Sequence, residues 1–375
     1  MRRHPGYFFI LICLNLLSAC GQNTEAEPTP LPPDLQATAE VYFASDDLHS
    51  AVQVWEQALE EDPGDLEAHY RLALILLLDD PDSATSHLDR IGSAPEYADQ
   101  VSRLRAALRQ AAVINDQAYY LTIIGQALSS IGEWQLAQTA LERAVEVNPD
   151  YAEAWAYLGE ARLQNKEENA LEALQTAHAL KPDSFAANLF LSMYYRRTGQ
   201  ALAAVEYLET AIQSDPENKD LQADLAQTLV EAGGASKGFQ ILEELAAESP
   251  QEAESWLRLA RLSIYNNLQV RQTGLPAARE ALLLAPDQPE AALLLGRAYL
   301  LLGDTLMAER FLSQALAADP DSGEAHYYLG ILYLNEGDGS LAKDHLHSAA
   351  SLAAASGNQV LADQVADLIE EYFGE

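Results

Sequence analysis

Prolines recur at a nearly constant spacing from residue 149 onward, and this period constrains the fold more than any other feature. They are Pro149, Pro182, Pro216, Pro250, Pro286 and Pro320, with successive gaps of 33, 34, 34, 36 and 34 residues. A fixed period of roughly 20–50 residues is typical of a stack of similar supersecondary units rather than of one compact core. Each unit therefore has to complete its structure within one period.

One unit, residues 118–151, has the pattern of two short helices folded back on each other. The first helix has an apolar face at helical spacing, formed by Leu121, Ile124 and Leu128. The second helix has another, formed by Ala137, Leu141 and Ala144. Gly132 ends the first helix, because glycine takes the left-handed conformation without a Cβ penalty. Pro149 ends the second, because the residue before a proline is pushed out of the α region.

Further positions recur when each repeat is counted as 34 residues that end two after its proline. Position 7 is leucine in six repeats, at Leu158, Leu191, Leu225, Leu259, Leu295 and Leu329. Position 15 is glycine in five, at Gly132, Gly199, Gly233, Gly303 and Gly337. Small residues hold positions 8 and 20, as Gly296 and Ala308 do. We expect such pairs to face each other where the two helices cross.

These positions resemble the motif of the tetratricopeptide repeat (TPR) family, which is matched residue by residue by Trp155, Leu158, Gly159, Ala170, Ala177 and Pro182. The resemblance covers nearly all of the chain after residue 34. It implies an all-α fold, a right-handed α–α superhelix of nine repeats whose first helices line a concave face. Residues 357–375 fit the polar-backed capping helix that a repeat array needs at its end.

Residues 1–19 predict a signal peptide. Arg2 and Arg3 precede an apolar run from Tyr7 to Leu17, which is too short to span a bilayer. The stretch Leu17–Cys20 then resembles the lipobox of bacterial lipoproteins. That resemblance implies cleavage before Cys20 and lipidation of Cys20. The alternative is an ordinary signal anchor with an incidental cysteine.

Residues 20–34 hold four prolines and predict a flexible tether behind the lipidated cysteine. The expected location is extracytoplasmic, with a lipid anchor in the cell membrane or the outer membrane. Cys13 leaves with the signal peptide and Cys20 carries the lipid. The folded part therefore has no cysteine for a disulfide or a thiolate metal site.

The folded part divides into a weaker and a stronger half. Residues 35–116 hold two weaker repeats and an extra helix, predicted as one long helix over residues 95–116. Residues 117–356 hold the regular TPR array. Because the extra helix has no partner of its own kind, we expect a kink or a division into two subdomains there. In the repeat that begins at Ala253, Tyr265 begins a lengthened loop and the second helix is shortened.

The balance of charge disfavours several classes of partner. The formal net charge is −35, and it becomes −37 when the signal peptide takes away two arginines and no acid. Such a chain repels nucleic acid and anionic lipid surfaces. We therefore expect no nucleic-acid partner, and contact with the membrane through the N-terminal lipid only.

The sequence carries no recognisable catalytic or cofactor motif: no GxSxG, no P-loop and no Gly-rich dinucleotide turn. His345 and His347 are two apart and lie on different faces of a helix, so they form no metal pair. His69 and His326 both hold repeat position 4, which predicts packed core histidines. We predict a chain that is not an enzyme and takes no cofactor, metal or small-molecule substrate.

In the family's geometry, positions 2, 5, 9, 12 and 13 of each first helix point into the concave face. The resemblance thus implies a groove for a protein or peptide partner, lined by Leu189, Met193, Leu257, Leu293, Tyr327 and Ile331 and by Arg196, Arg197, Arg258, Arg261 and Arg297. Arginine matches carboxylates bidentately, which predicts an extended segment bearing a carboxylate. The alternative is that these arginines pair with acids on adjacent helices, such as Asp224, Glu254 and Glu290.

The function that the resemblance implies is a membrane-anchored scaffold for protein–protein interaction. One alternative is a non-catalytic accessory subunit of an envelope enzyme, a secretion machine or a polysaccharide or cell-wall assembly machine. Another is a structural spacer in the envelope.

Overall fold

The computed structural model describes residues 34–374, so the predicted signal peptide, Cys20 and the tether up to residue 33 lie outside the described residues. Within the described range the chain forms twenty α-helices and no strand, which confirms the predicted all-α fold. The helices are Leu35–Ala44 (α1), Leu48–Glu61 (α2), Leu66–Leu76 (α3), Pro81–Ile91 (α4), Ala98–Ala111 (α5), Gln117–Ser130 (α6), Trp134–Val147 (α7), Ala152–Gln164 (α8), Ala170–Leu180 (α9), Phe185–Arg197 (α10), Ala201–Ile212 (α11), Lys219–Glu231 (α12), Ala235–Glu248 (α13), Ala253–Tyr265 (α14), Leu275–Leu284 (α15), Pro289–Leu301 (α16), Thr305–Ala318 (α17), Gly323–Glu336 (α18), Gly339–Ser356 (α19) and Gln359–Phe373 (α20).

The chain forms two compact units that divide between Arg105 and Ala106, inside α5. The first unit contains the hairpins α1–α2 and α3–α4, a short 3₁₀ turn at Pro95–Tyr97 and the beginning of α5. Asp34 caps α1, since its carboxylate accepts a hydrogen bond from the amide of Ala37 at 3.1 Å.

The prediction of one long helix over residues 95–116 is wrong at both ends. The 3₁₀ turn comes first, and α5 ends at Ala111. The turn is held because the Tyr97 ring packs 4.8 Å from the Tyr70 ring and its hydroxyl donates to Glu67. Packing against α3 therefore overrides the helical pattern of this segment.

The second unit contains the end of α5, seven helical hairpins from α6–α7 to α18–α19, and then α20. The two helices of each hairpin pack together, and the first helices also pack on each other in the series α6, α8 and α10 and in the series α14, α16, α18 and α20. One core runs without interruption from Ala226 to Leu332. This nearest-neighbour packing is the arrangement expected of a repeat array.

The glycines predicted to end first helices have positive φ, as at Gly132 (+85°) and Gly337 (+82°), which confirms their role. In α12–α13 positions 8 and 20 meet as predicted, since a Cβ on Gly238 would lie 2.5 Å from the carbonyl oxygen of Ala226. Where position 8 is glycine, the small pair is arranged differently from the prediction. A Cβ on Gly296 would lie 2.5 Å from Cγ of Leu312, not against Ala308. Side chains tilt toward the N-terminus of their helix, so the leucine one turn after the alanine covers the glycine.

Repeat position 4 has a recurring role that we did not predict. In several repeats a side-chain N–H at this position donates to a proline carbonyl six residues earlier. That proline lies just before the first helix of the repeat. The donors and proline acceptors are His69 to Pro63, Trp155 to Pro149, Asn188 to Pro182, Gln222 to Pro216 and Trp256 to Pro250. An otherwise unpaired carbonyl is thereby satisfied at the junction between repeats.

The irregular repeat contains a five-residue π turn at Val270–Gly274 immediately before the ten-residue α15. Asn267 and Gln269 precede it with φ of 53° and 49°. Ser263 fixes the loop, because its hydroxyl donates to the carbonyl of Leu268 at 2.6 Å. The lengthened loop was predicted to begin at Tyr265, but it begins one residue later, because Tyr265 is the last residue of α14.

The helix α20 closes the second unit in the manner predicted for a capping helix. Leu361, Val365 and Ile369 are buried against α19, while Val360 and Tyr372 are exposed. Asn358 begins the helix by accepting a hydrogen bond from the amide of Leu361 at 3.1 Å. No helix within residues 34–374 combines the length and the hydropathy needed to cross a bilayer.

Candidate partner-binding face

Arg297 lies at the centre of a surface formed by the first helices α14, α16 and α18. Its guanidinium carbon is 4.2 Å from the centroid of the Tyr265 ring and 5.0 Å from that of Tyr328. The two tyrosines come from α14 and α18, the helices on either side of α16. Cation–π attraction to both rings therefore holds the guanidinium in place.

The two tyrosines hold Arg297 without neutralising it. Burial raises the pKa of Tyr265 and that of Tyr328, so both phenols stay uncharged at neutral pH. The hydroxyl of Tyr265 donates to Glu324 at 2.8 Å. Among residues 34–374, Arg297 forms no ion pair: it donates to the carbonyl of Tyr265, at a long 3.5 Å, and to the hydroxyl of Tyr328.

Two neighbouring cavities open at this surface. The cavity of about 330 Å³ is lined by Tyr265, Arg297, Glu324, Tyr327, Tyr328, Ile331, Asn358, Val360, Leu361 and Gln364. The cavity of about 300 Å³ shares Tyr265, Glu324, Asn358 and Leu361 with the first and adds Glu290, Leu293 and Asp321 among others. We call them the arginine cavity and the acidic cavity. Because they share walls, one extended segment can contact both.

Arg261 and Arg258 follow the alternative of internal pairing. Arg261 contacts Glu254 at 2.9 Å and also Glu290, and hydrogen bonding to Glu290 raises the pKa of Arg261. Arg258 contacts Glu254 at 3.2 Å and also Asp220. These two arginines are already neutralised, so the predicted strip of free arginines does not form here.

Arg196 and Arg197 lie around a third cavity, of about 490 Å³, at the end of α10. Arg196 makes a bidentate contact with Glu231, at 3.1 and 3.2 Å. Arg197 donates to the carbonyl of Leu163 at 3.1 Å. Met193 lines the same cavity and is exposed.

The predicted apolar groove residues are only partly accessible. Leu257 has 0% of its surface exposed and belongs to the core, so its assignment to an open groove is wrong. Leu189, Leu293, Tyr327 and Ile331 are half-buried. Sequence reasoning did not name Tyr265, Tyr328 or the residues of α20, although Tyr265 holds position 13, which the family's geometry points into the groove.

Glu160 holds position 9 of α8, the register that Arg261 and Arg297 hold in their own repeats. Burial raises its pKa to about 7. It has no hydrogen-bond or ion-pair partner within the described part of the chain. The same face thus carries an acid close to half-protonation at neutral pH.

The described residues offer little for catalysis by a metal. Nowhere between residues 34 and 374 do three His, Cys, Asp or Glu side chains lie close enough to hold an ion. What the face does offer is aromatic, aliphatic and guanidinium groups beside open cavities. Such groups contribute most to binding at protein interfaces. Fold and face together define a helical-repeat protein of the kind that binds other proteins.

Comparison with known families gives this class a name. Tetratricopeptide repeat profiles match residues 32–75, 124–168, 195–238, 289–322 and 307–358. The chain belongs to the tetratricopeptide repeat family.

Curated relatives match parts of the chain. A peroxisomal targeting signal receptor of Yarrowia lipolytica is 39% identical over 79 residues, which is 21% of this chain and 13% of the relative. The TPR repeat-containing protein YpiA of Bacillus subtilis is 27% identical over 143 residues, 38% of this chain and 33% of the relative. The matches thus span at most a third of either relative.

Solved structures share the fold. The structure of yeast Tom70 aligns with a TM-score of 0.51 at 14% identity, covering 90% of this chain and 88% of that one. A tetratricopeptide repeat protein from Parabacteroides merdae aligns with a TM-score of 0.54 at 13% identity, covering 66% and 98%. At these identities the likeness concerns the fold alone.

Proposed function

We propose that this protein is a lipid-anchored, extracytoplasmic scaffold that binds an extended segment of a partner protein on the first-helix face of its second unit. The observation that supports this most is the pair of open cavities around Arg297. They combine a cation without an ion pair, two tyrosine rings and the aliphatic side chains of Ile331 and Val360. A face of this composition is suited to binding rather than to bond making.

The anchor rests on the N-terminal sequence. The apolar run followed by Leu17–Cys20 supports lipidation of Cys20, and the proline-rich stretch after it supports a tether. A mature chain with a charge of −37 is repelled by anionic lipid headgroups, so the lipid would be its only contact with the membrane.

The relatives support binding as the activity. One is by its name a receptor for a targeting signal, and another is named only for its repeats. In the accessory-subunit alternative the same face binds the partner. The partner would then be a catalytic subunit of an envelope assembly.

Site-specific photo-crosslinking in the full, membrane-anchored chain tests the proposal. A photoreactive phenylalanine analogue replaces Ile331, which lines the arginine cavity, and, as the matched control, Leu306, which is 75% exposed on the second helix α17. We expect one discrete protein adduct from position 331 and none from 306. Equal adducts at both positions, or adducts at 306 alone, would rule out the first-helix face. A catalytic subunit in the adduct would favour the accessory role.

A further inference from the structure

The guanidinium of Arg297 has unused hydrogen-bonding capacity. It carries five N–H donors, and within the described residues its acceptors are the Tyr265 carbonyl at 3.5 Å and the Tyr328 hydroxyl, neither of which is charged. The rings of Tyr265 and Tyr328 restrict its position but supply no acceptor of matching strength. A half-buried cation in this state gains most from a carboxylate, which accepts two parallel hydrogen bonds from the fork.

The acids nearest to Arg297 are occupied elsewhere. Glu324 lines the same cavity but accepts the hydroxyl of Tyr265, and Glu290 is held by Arg261. Neither forms an ion pair with Arg297. The chain carries 57 acids against 22 lysines and arginines, so a cation left without a carboxylate partner in an open cavity is available to a carboxylate from outside.

The surroundings also select the rest of the ligand. Glu290, Asp321 and Glu324 line the acidic cavity, and no lysine or arginine lines it. A segment with several acids would be repelled there and by the net charge of the chain. A basic side chain beside the carboxylate would meet Asp321 and Glu324, which form no ion pair within the described residues, with matching charge.

We infer that the arginine cavity binds a side-chain carboxylate of the partner segment and that the acidic cavity binds a basic side chain adjacent to it. This inference rests on the proposed function and names the chemistry of the partner. The partner segment is extended, carries neighbouring acidic and basic residues, and presents apolar side chains to Ile331 and the exposed Val360.

Selection from a phage-displayed library of short random peptides, each with its C-terminus fused to the coat protein, tests the inference on the full chain. We expect selected peptides to be enriched in Asp or Glu next to Lys or Arg. Arg297→Gln should weaken binding of a selected peptide by about ten- to a hundredfold, the loss typical of a charged hydrogen-bonded pair. Replacing the peptide's acid with its amide should have the same effect, and the two losses should not add.

The matched control is Arg310→Gln, because Arg310 also lies over an aromatic ring, that of Phe311, but on the second helix α17. Arg310→Gln should leave peptide binding unchanged. A library that yields no peptide, peptides without acids, or full binding by Arg297→Gln overturns the inference. A synthetic peptide that binds through its free C-terminal carboxylate after its acidic side chain is amidated also overturns it. In each case a partner adduct at Ile331 would leave the proposed function standing.

Discussion

Nδ1 of His326 lies 2.9 Å from Nδ1 of His345, and His69 and His87 make the same contact at 2.8 Å in the other unit. Each pair joins position 4 of a repeat to its second helix, at position 23 for His345 and position 22 for His87. Nε2 of His69 donates to the Pro63 carbonyl, which leaves its Nδ1 as the acceptor from His87. One added proton keeps this bond, whereas a second would place hydrogen on both facing nitrogens.

The pair in the second unit predicts a loss of stability in acid. Burial lowers the pKa of His326 and of His345 below 6.5, although Asp344 acts in the opposite direction on His345. Tyr333 stacks on His345 and donates to Glu309. Because a lowered pKa favours the neutral imidazole in the folded state, the stabilisation is present above the unfolded pKa and is lost as pH falls through the folded pKa.

The double variant His326→Asn with His345→Tyr tests this, since Asn188 and Tyr207 hold the same two positions in another repeat. Thermal melts from about pH 7 to about pH 5 should show a decrease in Tm that is about 2–4 °C smaller in the variant than in the native protein. The exposed His49→Asn serves as control and should not alter the slope. Identical slopes in all three proteins would contradict a role for the pair.

Glu160 predicts the opposite dependence on pH. Its pKa is raised to about 7 by burial, so the folded state favours the protonated carboxyl. Its stabilising effect is present at low pH and is lost as pH rises through about 7. Glu160→Gln should therefore raise Tm by about 2–4 °C at pH 8 and leave it unchanged near pH 4. A variant that melts with the native protein at both pH values would show that the carboxyl is well solvated.

Substitutions of Arg261 and Arg297 should affect stability and partner binding differently. Arg261 is held by Glu254 and Glu290, so Arg261→Gln should cost about 1 kcal/mol in urea unfolding by leaving two carboxylates close together. Arg297→Gln removes no ion pair but loses the cation–π contacts, so it should cost about 0.5–1 kcal/mol while strongly reducing partner crosslinking at Ile331. Arg261→Gln should leave that crosslinking unchanged, and an Arg297→Gln variant that is destabilised yet crosslinks at the native level would show that Arg297 has a structural role only.

Gly296 predicts local overpacking. An added Cβ would lie 2.5 Å from Cγ of Leu312 and 3.0 Å from its backbone nitrogen. Gly296→Ala should cost about 1–3 kcal/mol and increase hydrogen exchange mainly in the repeats from 289 to 356. Gly339→Ala is the control, because only the Phe373 ring at 3.9 Å approaches its Cβ. Unchanged exchange in the Gly296 variant would refute the close helix crossing.

The anchor is tested on Cys20 itself. Metabolic labelling with a radioactive fatty acid should mark the native chain and leave Cys20→Ala unlabelled and uncleaved. Cys13→Ala is the matched control, since that residue would leave with the signal peptide. A mature native chain that takes up no lipid and partitions into the aqueous phase would exclude lipidation.

The sequence predicts the repeat well because each helix end depends on a local residue. Gly132 and Gly337 stop their helices by positive φ, and Asp34 caps its own helix. These features need no knowledge of distant contacts. The burial of a side chain depends on more distant contacts. Leu257 and Leu293 both hold repeat position 5, yet the first is fully buried and the second half-buried.

The arginine cavity was only partly predictable for a similar reason. Register alone placed Arg261 and Arg297 on the same face, but it could not decide which of them would reach an acid. Glu290 lies close enough to form an ion pair with Arg261. Arg297 instead packs against the ring of Tyr265, the last residue of α14. Pairing across repeats depends on side-chain positions in three dimensions, which periodicity does not encode.

The proline carbonyl that accepts from position 4 has a consequence for how such a chain can change over generations. The acceptor is fixed by the backbone, whereas four different side chains already serve as donor, at His69, Trp155, Asn188 and Gln222. Exchange of the donor is therefore permitted without rebuilding the junction. A histidine gained there, facing a second one at position 23, makes one more repeat respond to acid. The number of such repeats, two in residues 34–374, can fall by a single substitution but needs two to rise, because no other repeat has a histidine at either position.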